Sequence, residues 1–206
     1  MSKENKRVIE EVYNYGFEDR FTEEDIENRH LHLNCEIDGI ALESIVYHIL
    51  RYNRLDKDIP ANERKPITIY INSCGGSVVD GFGIIDAILA SETPVYTVNL
   101  AACFSMGLLI FMAGHKRYAM PSSEFLLHDG QTGGVDSSSK FKDRLNFELN
   151  QVEEMTKKYV ISHSNISEKD FDSNYRREWY FLPIEGKELG VVDYIVGTDC
   201  GLSDII

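Results

Sequence analysis

Residues 69–114 read IYINSCGGSVVDGFGIIDAILASETPVYTVNLAACFSMGLLIFMAG, and the order of elements in this stretch decides the fold. A β-branched strand enters a paired-glycine turn at Gly75-Gly76. A helix follows, then a second strand, then Ser105 at the mouth of an apolar helix. Strand–helix–strand order calls for right-handed crossovers and a largely parallel sheet. A glycine turn can present backbone N–H groups, and a helix N-terminus favours negative charge. A serine beside both is a candidate nucleophile with donors at hand for a developing oxyanion.

Upstream of this stretch, residues 31–37 alternate and predict a strand. Residues 41–52 carry Leu42, Ile45, Val46, Ile49 and Leu50 at helical spacing, and residues 53–66 form a charged, proline-containing loop. Within and beyond the stretch, the pattern predicts strands over 67–71, 95–100, 117–120 and 124–128. It predicts a helix over 78–90 with Phe82, Ile85, Ile88 and Leu89 on its apolar face. A second helix over 105–113 is apolar all round and therefore buried. After the GQTGG loop, residues 137–162 contain no breaker. Phe141, Leu145, Leu149, Val152, Met155 and Tyr159 keep steps of three and four, which predicts one helix of about seven turns. One small domain rarely needs so long a helix, so one end is expected to pack against a partner subunit. A turn, a short helix near 185–189 and a strand over 191–196 complete the pattern. The expected organisation is an N-terminal arm over 1–29, mobile or ordering on assembly, one domain over 30–197, and a tail over 198–206.

The chain has 206 residues, 43% hydrophobic and 27% charged, enough for one globular domain with a substantial core. A net charge of −13 argues against nucleic acid or an anionic membrane as partner. Cys35, Cys74, Cys103 and Cys200 form no C-x-x-C pair, which disfavours a zinc site or a redox motif and fits reduced thiols in the cytoplasm. Residues 1–21 hold no apolar signal region, and the longest apolar run, 106–113, is far too short to span a bilayer.

Ser105 sits in Cys103-Phe104-Ser105-Met106-Gly107. The pentapeptide lacks the first glycine of G-x-S-x-G, which disfavours an α/β-hydrolase. Gly107 permits a tight turn behind the serine, and the alternative role for Ser105 is a helix N-cap. Gly75-Gly76 is either a plain turn or part of an oxyanion hole, with the N–H groups of Gly76 and Met106 as donors. Such donors contribute about 3–4 kcal/mol each in other hydrolases. His128 ends the run Phe125-Leu126-Leu127 and precedes Asp129-Gly130. An imidazole, with a reference pKa of about 6.5, suits general-base work. His115 and His163 compete for that role; His30, His32 and His48 lie far upstream. A base needs an orienting acid, and Asp129, Asp170, Asp172, Glu178 and Asp193 are all candidates at this point.

Taken together, these segments resemble ClpP, the proteolytic subunit of the Clp protease, over roughly residues 30–197. INSCGGSV is similar to the family's INSPGGSV, and AACFSMG to its MAASMG with the apolar helix and AG that follow. Arg117-Tyr118-Ala119-Met120-Pro121 is similar to RFALP, Phe125-Leu126-Leu127-His128 to IMIH, and Gly133-Gly134 fits the glycines beyond. The resemblance implies a ClpP/crotonase-like ββα superhelix with a protruding handle helix. It implies a serine endopeptidase that cuts unfolded polypeptides through an acyl-enzyme, with no metal or organic cofactor. Ser105 falls on the family's nucleophile, His128 on its base, and Gly76 and Met106 on its oxyanion-hole amides. Counting from Leu189-Gly190 and from His163-Ser164 meets at Glu178, where the family usually has aspartate. The resemblance also implies seven-membered rings stacked as a 14-mer through the long helix, fed by an AAA+ unfoldase. The chain itself has no G-x-x-x-x-G-K-[ST] phosphate loop. The substrate would then pair, extended, with a strand edge near 131–135.

Four further departures stand out. Cys74 replaces a proline, Phe104 replaces a small residue, Asp129-Gly130 replaces Gln-Pro, and the loop over 53–66 is longer than usual. Phe104 and Glu178 keep open a catalytically silent ring subunit. A crotonase-type acyl-CoA enzyme is the other rival, since it shares the architecture and the backbone oxyanion hole.

Overall fold

Alternate isoleucines drive the central strand. The computed structural model describes residues 23–130 and 137–206. In it Ile67, Ile69 and Ile71 are fully buried on one face of β2 (Ile67–Ser73). β1 (His30–Leu33) buries Leu31 and Leu33 on the same side and turns His30 and His32 to the other. The strand order is β1-β2-β3-β4-β7, all parallel, with β3 spanning Val95–Phe104, β4 Lys116–Ala119 and β7 Tyr194–Ile195. β5 (Glu124–Leu127) runs parallel to the end of β3, and β6 (Trp179–Phe181) pairs antiparallel with β5.

The sheet forks along β3. Its first part pairs with β4 as far as Asn99–Ala119, and its last part pairs with β5 from Ala102–Glu124 onward. Buried Asn99 spans the fork, its Nδ2 donating to the Glu124 carbonyl at 3.0 Å. The fork lets β5 reach the C-terminal end of β3, where Ser105 follows.

Helices cover one face. α1 spans Glu23–Asn28 and α2 spans Gly39–Leu55. α2 starts where the Asp38 carboxylate accepts from the N–H groups of Ile40 and Ala41 at 3.0 and 2.9 Å. α3 (Val78–Leu89) is capped by Ser77, which accepts from Asp80 N–H at 3.3 Å. α4 (Met106–Met112) is buried at every residue, as its all-round apolar sequence requires. Its side chains join Ile45 and Ile49 of α2, Ile84 and Ile88 of α3 and the inward residues of β1 and β2 in one core. A smaller cluster of Tyr70, Val98, Tyr118, Val196 and Ile205 occupies the other face of the sheet, with the Tyr70 hydroxyl donating to the Ile205 carbonyl.

Several expectations need correction. The strand expected over 31–37 ends at Leu33, and Ile37 instead forms an isolated bridge to Gly76. The helix expected to stop at 52 runs on to Leu55. Asn53 there ties α2 to the turn that follows Leu89, bonding the Ile49 carbonyl and Ser91 and accepting from Thr93 N–H. The apolar faces hold at their centres, with Ile45 and Ile49 of α2 and Ile85 and Ile88 of α3 buried as expected, and differ at their edges. α2 buries Ala41, Ile45, Ile49 and Tyr52 while Leu50 is exposed, and α3 buries Gly81 and Ile84 while Leu89 is exposed. The strand expected over 191–196 is only Tyr194–Ile195, although Val191 and Val192 are buried.

The long helix is present but interrupted: α5 (Ser138–Phe147) passes through a π-helical turn (Glu148–Val152) into α6 (Glu153–Ser162). No residue of α5 or the π turn is buried, whereas α6 buries Thr156, Tyr159 and Val160. Further elements escaped the sequence pattern, among them α1, α7 (Glu168–Asn174) and β6; α8 (Pro183–Glu188) was expected. Of the arm over 1–29, residues 1–22 lie outside the described residues. Its inner end is docked: Tyr52 donates its hydroxyl to the Ile26 carbonyl at 2.7 Å, and Arg29 grips buried Asp56 at 2.5 and 2.7 Å.

Candidate active site

Parallel sheets gather functional groups at the carboxyl ends of their strands. Here β2 runs out into Gly75-Gly76, β3 into Ser105 and β5 into His128, all at the same edge.

Ser105 occupies the N-cap position of α4, yet its hydroxyl caps nothing. Its backbone lies at φ 53°, ψ −123°, a conformation rare for a residue with a side chain. Such strain costs about 1–3 kcal/mol and persists only where the surroundings impose it. Three contacts impose it here. The Ser105 N–H donates to the Leu126 carbonyl at 2.9 Å, its carbonyl accepts from Leu108 and Leu109, and Gly75 packs against it. A Cβ on Gly75 would stand 2.7 Å from the Ser105 Cβ and 2.9 Å from the Phe104 carbonyl oxygen. Only glycine fits there, and the φ of Gly75, 97°, suits glycine as well. The strained turn thus forms although Cys103 stands where the G-x-S-x-G pattern has its first glycine.

The glycine turn is held by Ser73, whose hydroxyl accepts from Gly75 N–H at 3.2 Å and donates to the Cys35 carbonyl at 2.6 Å. Gly76 forms a parallel bridge with Ile37. Ile37 N–H donates to Gly75 and Ser77 N–H donates to Ile37, at 2.9 and 2.7 Å. That pattern turns the Gly76 N–H away from Ile37. Among the described residues, neither the Gly76 N–H nor the Met106 N–H has an acceptor. Both are available to a ligand on either side of Ser105.

His128 is half-buried, one residue beyond β5, and its ring makes no hydrogen bond among the described residues. The β5–β6 register pairs Leu126 with Tyr180 and Leu127 with Trp179, so the next rung sets His128 opposite Glu178. Glu178 is exposed, and its Oε2 accepts from the Tyr180 hydroxyl at 3.2 Å. The structure therefore brings Ser105, His128 and Glu178 to one edge but does not hydrogen-bond them to one another.

The rival residues have other partners. His115 Nδ1 accepts from Val95 N–H at 2.8 Å, and His163 Nδ1 lies 2.9 Å from both Tyr159 O and Ser162 Oγ. Asp170 bonds Ser167, Asp172 pairs with Lys157 at 2.8 Å, and Asp193 takes a two-pronged contact from Arg117 at 3.0 and 2.6 Å. Asp129 stands 3.9 Å from Arg176. The strand edge expected over 131–135, with Gly133-Gly134, lies outside the described residues.

Sequence reasoning missed Tyr180. Its ring meets Phe104 edge-on, centroids 5.9 Å apart at 90°. The strand-favouring aromatic run Trp179-Tyr180-Phe181 was the available signal. An open cleft of about 850 Å³ lies elsewhere, lined by His32, Cys35, Tyr70 and Leu100 among others, and none of the candidate catalytic side chains reaches it. Among the described residues no helix is long and apolar enough to cross a membrane.

Comparison with known proteins bears on this edge. A family profile described as Clp protease matches residues 19–199. The chain is 32% identical over 143 residues to ATP-dependent Clp protease proteolytic subunit 3 of Streptomyces avermitilis, covering 67% of this chain and 64% of that protein. It is also 32% identical over 143 residues to subunit 1 of Streptomyces coelicolor, with the same coverage of 67% and 64%. To chloroplastic subunit 3 of Arabidopsis thaliana it is 27% identical over 175 residues, 83% of this chain and 54% of that protein. The chain thus spans between about half and two thirds of the length of the curated relatives it matches. The match extends across the sheet, the glycine turn, Ser105, His128 and Glu178, and the chain belongs, as a divergent member, to the Clp protease family.

Proposed function

We propose that the chain is a serine endopeptidase, the proteolytic subunit of a compartmentalised Clp-type protease. The observation that carries this reading is the strained, uncapped Ser105 between two unengaged N–H groups. Ser105 Oγ attacks the scissile carbonyl as His128 takes its proton. The carbonyl oxygen, now negative, accepts from the N–H groups of Gly76 and Met106. The intermediate collapses, the C–N bond breaks, and His128 returns the proton to the leaving amine. Water, deprotonated by His128, then attacks the acyl-serine and releases the carboxylic acid. Glu178, opposite His128, orients the imidazole and faces the imidazolium as it forms. Hydrogen bonds of this kind tighten when substrate binds, so their absence from the unliganded site is compatible with the role.

The exposed outer half of the long helix supports assembly through that face, into stacked seven-membered rings. An ATP-driven AAA+ unfoldase would feed unfolded polypeptide into the enclosed chamber. A cytoplasmic setting agrees with free Cys35, Cys74, Cys103 and Cys200. A catalytically silent ring subunit is the second reading, favoured by the single fact that Glu178 bonds Tyr180 rather than His128.

Hydrolysis of a short fluorogenic peptide tests the proposal. Wild-type protein should cleave it without ATP, and Ser105→Ala and His128→Ala should each lower kcat by at least about 10³-fold. Equal turnover by wild type and Ser105→Ala would establish the silent subunit instead.

A further inference from the structure

Two of the departures from the family pattern, Phe104 and Glu178, meet in space through a third residue. Phe104 pairs with Leu126 across β3–β5, and Leu126 pairs with Tyr180 across β5–β6. The three side chains form a row on one face of the sheet, two rungs from His128 and Glu178. Residues two apart on a strand share a face, so Tyr180 can reach back to Glu178, and its hydroxyl donates to Oε2 at 3.2 Å. The Phe104 ring abuts Tyr180 edge-on at 5.9 Å, the geometry aromatic pairs favour.

We propose that Tyr180, propped by Phe104, is a positioning residue that fixes the carboxylate of Glu178 opposite His128. The inference rests on the peptidase reading above. Glutamate carries one more rotatable bond than aspartate, and at an exposed strand end that freedom disperses the carboxylate. A phenol held by Phe104 removes it by binding one oxygen. The other oxygen keeps its lone pairs for an imidazole N–H. The large residue before the nucleophile and the long acid then form one compensated unit. Neither is a random departure. Partial burial, then the charge of Glu178 and its hydrogen bond, and last the charge of Glu124, push the Tyr180 phenol above the usual tyrosine range, which keeps it a donor.

A double-mutant cycle on the assembled protein tests this, with peptide hydrolysis and fluorophosphonate labelling of Ser105 as readouts. Tyr180→Phe should lower kcat about tenfold, with KM within about twofold. In the Glu178→Gln background the same change should have no further effect. An equal loss in both backgrounds would mean a merely structural tyrosine and overturn the proposal, as would full wild-type turnover by Tyr180→Phe. The contact is read independently of catalysis by ring-carbon NMR of labelled tyrosine. The Tyr180 phenol should titrate at lower pH in Glu178→Gln than in wild type, and an unchanged titration also overturns the proposal. A wild type that takes no label at Ser105 overturns the peptidase reading and the positioning role together. A labelled wild type with a silent Tyr180→Phe overturns the positioning role alone.

Discussion

Gly75 and Ser105 lie in direct van der Waals apposition: a Cβ on the glycine would stand 2.7 Å from the Cβ of the serine. A helix and a strand separate the two in sequence, yet the parallel pairing of β2 with β3 returns them to one edge. The conformation of Ser105 is therefore a property of the glycine turn as much as of its own strand. Gly75→Ala forces the two backbones apart and strains a φ of 97°. It should slow fluorophosphonate labelling at least about tenfold and destabilise the fold by about 1–3 kcal/mol, read by thermal melting. Labelling at the wild-type rate would show that the elbow does not need this contact.

In the proposed mechanism Glu178 acts only through its place opposite His128. Glu178→Gln keeps the shape and removes the charge that faces an imidazolium. The expected result is a kcat lowered about 10²–10⁴-fold with KM changed little. Steady-state kinetics on a short peptide measures both. Unchanged turnover would move the orienting role to another carboxylate, Asp129 being the nearest in sequence.

Stability at acid pH hangs on Asp56, buried at the C-terminal end of α2. Arg29 grips both carboxylate oxygens, and Thr93 donates to Oδ2 at 2.9 Å. The Arg29 hydrogen bonds, against the opposing cost of burial and with help from Thr93, hold the Asp56 carboxyl below the usual aspartate range. A depressed folded-state pKa contributes stability above the unfolded value of about 3.9, and that contribution is lost as pH falls through the lower folded value. Arg29→Ala leaves the carboxylate unpaired and should cost about 3–5 kcal/mol at neutral pH. The gap between wild type and variant should narrow in acid. Denaturant melts at neutral and acidic pH check it, and a gap independent of pH would place the stabilisation elsewhere.

The outer half of the long helix offers Phe147 and Leu149 to solvent at 52% and 45% exposure. Side chains of that size are costly to leave wet along a protruding helix. Leu149→Asp with Val152→Asp should break a larger assembly into smaller ones, while circular dichroism stays that of the wild type. Analytical ultracentrifugation decides it, since an unchanged sedimentation coefficient excludes this face as the contact.

The sheet, the glycine turn and the buried α4 were legible because each has a strong local pattern: alternate isoleucines, paired glycines, an unbroken apolar run. What escaped was set by tertiary pairing. β3 was expected to end at residue 100, since Ala101 and Ala102 have little strand preference, yet pairing with β5 extends it to Phe104. That extension carries Ser105 to the end of β5, where its N–H meets the Leu126 carbonyl. β6 is three residues long and exists only because β5 offers an edge, so the register that sets Glu178 opposite His128 was invisible. The π turn at Glu148–Val152 contains neither glycine nor proline, and nothing in its composition distinguishes it from the helix on either side. Ser105, by contrast, stands out in the sequence as a cap or a candidate nucleophile, and only the structure shows that its hydroxyl caps nothing.

The decisive measurement is the intact mass of the protein after exposure to a fluorophosphonate, with the modified peptide sequenced. One adduct per subunit, on Ser105 and absent from Ser105→Ala, is expected if the imidazole at 128 activates that hydroxyl beside two free amides. A folded wild-type protein that gains no mass, or gains it on a different serine, would contradict the reading.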